Sequence, residues 1–458
     1  MKALKKENTV NKPSEKSAVT ILFFSTNLLM ALVLATLLSA SVVSSPASEE
    51  TVVSMVPPEG EALNFWPHWR GPSMQGLVAG SGYPERWSDT ENVLWKVPVP
   101  GRGHSSPVIW GDRLFLTTAK DNGARRSVLC YSRSDGSLLW ETVVPESPAE
   151  QVHQKNSYAS SSPTTDGERV YAYFGSAGLI AVDFEGKVVW YTEFGPINLY
   201  HGPGGSPLLY RDRIILFQDQ ISFGRGTSAA SGFIVAIDKK TGRELWRKSR
   251  EPRPGWGSPI AIVVEDHVEI IVSSSRNIEA YDPLTGNIIW NCRGNTMEVI
   301  PMPVVGHGMV YCSSGRAGPT LAVRPGGKGD VTDSHVVWST PKGSPFVPSP
   351  LLLGEYLYTI NDMASIASCH HAKTGELIDQ IRLGEARREG FSASPVAVEG
   401  KVYFINDDGE VFVLTPAPDF KISHINSIGE RMLASPALAD GRWYFRTDSH
   451  LICIGSGA

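Results

Sequence analysis

With 458 residues, 41% hydrophobic and 19% charged, the chain carries enough apolar material for a large core and too little charge for a disordered polypeptide. A formal net charge of −5 argues against nucleic acid as a partner, because nucleic-acid binders present a basic face. The 44 glycines, 32 prolines and 12 tryptophans suit an all-β protein of short strands and many turns.

The N-terminus reads as an export signal. Lys2, Lys5, Lys6, Lys12 and Lys16 precede an apolar run over residues 18–43, and its strongest part, 28–40, has the length of a signal-peptide core. Ser45 and Ala47 fit a small-x-small cleavage site, while the whole run is also long enough to remain as a bilayer-spanning anchor. Residues 1–47 are therefore expected to be a signal peptide or a membrane anchor, and membrane contact is expected only if the segment is retained. Either way the remainder lies outside the cytoplasm, periplasmic or extracellular. Residues 48–63 read as a linker and 64–458 as one domain.

The domain repeats itself. A small residue before proline opens an apolar strand, then a Gly/Asp turn and a second apolar strand follow. The prolines are Pro107, Pro163, Pro207, Pro259, Pro303, Pro350, Pro395 and Pro436, with spacings of 56, 44, 52, 44, 47, 45 and 41. A period near 47 made only of strands and turns is a propeller blade. Asp238 to Gly242 leads to Trp246, and Asp282 to Gly286 leads to Trp290; weaker copies end at Trp140, Trp190 and Trp338. The Asp and Thr oxygens of such a turn accept backbone N–H groups, and the glycine supplies the left-handed conformation. The tryptophan should then wedge between neighbouring blades. The last unit has three strands, and residues 93–99 form an orphan strand upstream of the first. Pairing the two predicts an eight-bladed β-propeller of four-stranded antiparallel blades with no open edge. Seven blades remain if the Pro303 unit is not a true one.

In such a blade, the loop leading into the inner strand and the loop from second to third strand share one face, the funnel. Candidate ligand-binding residues there are Arg102, His104, His201, Trp256, Arg276, Arg316, Arg388 and Arg431. Arginine, histidine and aromatic side chains at one mouth suit an anionic or planar ligand such as a quinone or an acidic sugar. Asn361-Asp362 and Asn406-Asp407-Asp408 resemble oxygen clusters for Ca²⁺, although Asn and Asp are common in turns for backbone reasons. Cys130, Cys292, Cys312, Cys369 and Cys453 include no CxxC pair, and their pairing stays open. Cys369-His370-His371 reads as strand filling rather than a metal site.

The D-x-x-T-G-x-x-x-W element with its Ser-Pro inner strand resembles the PQQ-binding-like, quinoprotein-type repeat family over roughly residues 93–456. That repeat is shared by PQQ-dependent alcohol dehydrogenases and by the non-catalytic outer-membrane assembly factor of the BamB type. The resemblance implies PQQ with Ca²⁺ as the cofactors of an enzymatic member, yet the dehydrogenases' vicinal cysteine pair is absent here and no acid of this chain matches their Ca²⁺ or base motif. The expectation is a non-catalytic scaffold that binds a protein or cell-envelope component; the alternative is a divergent PQQ-dependent oxidoreductase. A polysaccharide-binding module is a third reading.

Overall fold

The computed structural model describes residues 52–221 and 231–456. The expected signal or anchor segment, 1–47, lies outside the described residues. No helix among the described residues is long and apolar enough to cross a membrane.

Eight four-stranded antiparallel blades form a ring. The first blade is Val108–Trp110, Arg113–Lys120, Arg125–Ser132 and Leu138–Val143, and each Ser-Pro unit that follows builds one more. The Pro303 unit is a true blade, made of Val304–Gly306, Met309–Ser313, Thr320–Val323 and Val336–Ser339. Second and third strands are buried on both faces and read as unbroken apolar runs, such as Ile214 to Phe217. Outer strands alternate between half-buried and exposed positions, as in Val93–Pro98. That strand pairs antiparallel with the C-terminal His450–Gly455, with Lys96 opposite Ile452, and completes the eighth blade.

Two devices hold blade to blade. On the outside, a tryptophan of one blade lies on the turn glycine of the next. The indole N–H groups of Trp95, Trp140, Trp190, Trp246 and Trp338 each donate to a carbonyl there: Arg133, Phe184, Lys239, Pro283 and Ala372. Trp290 departs from the expectation. The fifth blade replaces the D-x-x-T-G turn with a longer connection, whose Gly329–Asp330 pairs parallel to Trp290 and Asn291. Trp290 is fully buried and donates instead to Glu269 Oε2 at 2.8 Å.

On the inside, the serines before the prolines form a chain of hydrogen bonds around the axis. Each backbone N–H donates to the next blade's hydroxyl: Ser106 to Ser162, Ser162 to Ser206, and Ser206 to Ser258, at 2.9 to 3.0 Å. Met302, Ser349, Ser394 and Ser435 continue it, and Ser435 closes back onto Ser106 at 3.0 Å. Met302 has no hydroxyl, so the chain breaks only between Ser258 and Met302. The serine of each Ser-Pro signature is thus a fastener: it satisfies a buried donor that would otherwise cost about 1–3 kcal/mol.

The segment ahead of the ring crosses its inner strands. Within the stretch read as a linker, Val53–Met55 adds to the inner strand of the fourth blade. Further along, Trp66 bridges Ile109, Thr165 N–H donates to the Pro67 carbonyl, and Val78 N–H to the Ala397 carbonyl. Trp66 and Trp87 are buried, and Trp87 lies 5.1 Å from Trp443 between ring centroids. Trp69 donates to Ser435 Oγ at the axis. Arg70 is fully buried, bonds only the Gln75 and Pro350 carbonyls, and burial lowers its pKa to about 9.

Candidate functional site: the funnel cavity

A cavity of about 240 Å³ opens on the funnel face. Four of the eight sequence candidates line it: His104, His201, Trp256 and Arg316. Arg102, Arg276, Arg388 and Arg431 do not. Arg102 donates to the Gln154 carbonyl, Arg431 pairs with Asp448 at 2.6 Å, and Arg388 is exposed beside Glu389. Arg276 is exposed on a left-handed turn at φ 72°.

Phe346, which the repeat pattern also places on an entry loop, lines the cavity as well, and much of the remaining lining comes from residues the pattern did not single out. His153, Lys155, Asn156 and Ser160 belong to the connection from first to second blade, and Ser392 and Glu389 to that from sixth to seventh. The signal was available in the spacing: the gap from Pro107 to Pro163 is 56, the longest of the seven. A connection that long in an otherwise regular array is where function concentrates.

The charges around the cavity are committed to one another. Lys155 pairs with Asp407 at 2.9 Å, and Arg316 pairs with Glu298 while its guanidinium lies 4.6 Å from the Phe346 ring centroid. Tyr200 O–H also donates to Glu298. Burial, then the positive charges of Arg446 and Arg102, lower the His104 pKa to about 3, so its imidazole is neutral. Burial, then His153, lowers that of His201 as well. His201 sits 5.3 Å from Trp256 and 4.9 Å from His153 between ring centroids. Trp256 is anchored by its indole N–H on the Gly202 carbonyl at 2.7 Å. Among the described residues, His104 Nε2 and His201 Nδ1 are buried without a hydrogen-bond partner.

A family profile described as outer membrane protein assembly factor BamB matches residues 77–220 and 230–455. The chain belongs to this BamB-type family of PQQ-like repeat propellers. Solved structures with the same fold include BamB from Moraxella catarrhalis, 17% identical, covering 80% of this chain and 97% of that one with a TM-score of 0.56. A europium-containing methanol dehydrogenase is 11% identical over 83% of this chain and 89% of that one, TM-score 0.59. The quinohemoprotein alcohol dehydrogenase from Comamonas testosteroni is 11% identical over 87% and 82%, TM-score 0.62. Among curated proteins the sequence matches none.

The described residues do not gather a donor set for the Ca²⁺ that the repeat resemblance implies. Ca²⁺ takes about six to eight oxygen ligands. No group of three or more His, Cys, Asp or Glu among the described residues is placed to hold a metal. The two oxygen clusters expected from sequence are turned to other work. Asp362 Oδ1 accepts the Phe346 N–H at 2.6 Å, and Asn406 Oδ1 accepts the N–H groups of Asp408 and Glu410. Cys369, His370 and His371 fill a strand, and His370 Nδ1 lies 3.2 Å from the Gly375 carbonyl.

Proposed function

We propose that this chain is an extracytoplasmic, non-catalytic propeller that holds a protein or cell-envelope component on its funnel face. One observation carries the reading: the cavity's cations, Lys155 and Arg316, are already paired with acids, and burial lowers the pKa of both His104 and His201. Such a lining offers aromatic surface and directional hydrogen bonds, which serve recognition. The basic-then-apolar N-terminus supports the location. The name of the family profile, an outer-membrane assembly factor, supports an envelope partner.

The test is cross-linking of the full-length protein in its native envelope, followed by purification. A partner should be captured through the funnel and lost when Phe346 is replaced by Ala. Substrate-dependent dye reduction by the purified protein with added PQQ would replace this reading with the oxidoreductase.

A further inference from the structure

We propose that the funnel cavity binds a neutral, polyhydroxylated ligand: one sugar ring at the end of an envelope glycan. This rests on the funnel face being a recognition surface and names what it recognises.

Size comes first. About 240 Å³ is below the ~300–1,000 Å³ of sites for drug-sized ligands and suits a single ring. Charge comes second. An anion entering the cavity would meet Lys155 and Arg316, but each is already held by an acid, and the lining adds the Glu389 carboxylate. Among the described residues, two cations stand against Asp407, Glu298 and Glu389, which leaves no surplus positive charge there to reward a carboxylate or phosphate. Breaking the Lys155–Asp407 pair would leave a carboxylate that is only 4% exposed without its counter-ion.

Hydrogen bonding comes third. Among the described residues, His104 Nε2 and His201 Nδ1 are buried with no hydrogen-bond partner, a condition native proteins seldom leave uncorrected. In a neutral imidazole each nitrogen is either a donor or an acceptor, and a sugar hydroxyl, which is both, can answer either. Asn156 spends its amide on the His201 and Pro203 carbonyls and on Ser160, and Ser392 donates to Asp407, so Ser160 and Ser392 offer the cavity hydroxyl oxygens that can still accept. Trp256 supplies aromatic surface whose negative face suits the C–H side of a pyranose, while Phe346 already carries the Arg316 guanidinium over its ring. A hydroxyl-rich ring uses every one of these features; an anion uses few.

The experiment is isothermal titration of the full-length protein with glucose, galactose, mannose and N-acetylglucosamine at millimolar concentration, with glucuronate and PQQ as charged probes. At least one neutral sugar should bind saturably, with little dependence on added NaCl. Trp256→Ala should weaken it by about tenfold or more, as loss of an aromatic anchor does. Because Trp256 is buried, Ser392→Ala is the milder companion and should weaken binding about threefold to tenfold, with its melting temperature reporting separately the loss of the Ser392–Asp407 hydrogen bond. Silence from all four neutral sugars, or binding of glucuronate or PQQ alone, overturns the inference. Envelope cross-linking run beside it separates the two conclusions: a protein captured through the funnel with every sugar silent leaves the scaffold standing and removes the sugar.

Discussion

Trp190 of the second blade lies against Gly242 of the third, and its indole N–H donates to the Lys239 carbonyl at 2.9 Å. Gly242 is at φ 72°, and a Cβ there would come within 2.7 Å of the indole ring. Asp238 Oδ1 accepts the N–H groups of Lys240 and Thr241, which sets the turn so that the glycine faces the ring. Replacing Trp190 by Ala should therefore cost about 3–5 kcal/mol. Gly242→Ala should lower stability through both strain and collision. Urea unfolding followed by fluorescence measures both, and an unchanged midpoint in either variant would show that the latch contributes nothing.

Asp362 is fully buried, and burial pushes its carboxyl up to about 7 despite the Phe346 N–H and Lys155 nearby. Its ordinary value is 3.8, so below that pH both folded and unfolded chains hold the proton. As pH rises toward 7 the unfolded chain releases it and the folded one does not, so stability is lost. Asp362→Asn should leave stability near its parent value at pH 4 and raise it by roughly 4 kcal/mol at pH 8. Equal effects at both pH values in thermal unfolding would contradict this.

Glu279 has the opposite sign. Burial would raise its pKa, but Arg250 at 2.5 Å, Arg253 at 2.6 Å and the Tyr281 hydroxyl bring it down to about 2. Its stabilisation is complete above its ordinary 4.5 and drains away as pH falls toward 2. Glu279→Gln should cost about 3–5 kcal/mol at pH 7, because Arg250 is left buried beside Asp219 alone. The gap between the two proteins should narrow below pH 3 in acid titrations monitored by circular dichroism.

All five cysteines are free and buried, and burial raises the pKa of each thiol. A thiol-reactive dye should find almost none in the native protein and five after denaturation. Fewer than five under non-reducing denaturation would reveal bonding among them.

The ring was legible because the residues that build it repeat. Ser106 to Ser435 recur at blade spacing, since each must meet its neighbour at the axis. Trp140 and Trp246 recur because each latches the next turn. Trp290 kept its place in the pattern but changed its partner, since the turn it would have met is missing from the fifth blade and Glu269 stands within reach. The cavity was half legible for the opposite reason. His104 and His201 sit just ahead of Ser-Pro signatures and were placed by them, whereas His153, Lys155 and Asn156 lie in a connection that no other blade copies. Charge was misleading on its own: Arg102 and Arg431 reach the funnel face, but a carbonyl and a carboxylate outside the cavity hold them.

The eighth blade joins Val93–Pro98 to His450–Gly455, so the first strand of the ring waits for the last. During synthesis seven blades can form while that early strand has no mate, and two raw sheet edges persist until residues His450–Gly455 have been made. Closure is thus a proofreading event on the last strand. A copy cut short before His450 ends as an open arc with sticky flanks, and a copy that carries this strand becomes a closed, self-contained ring.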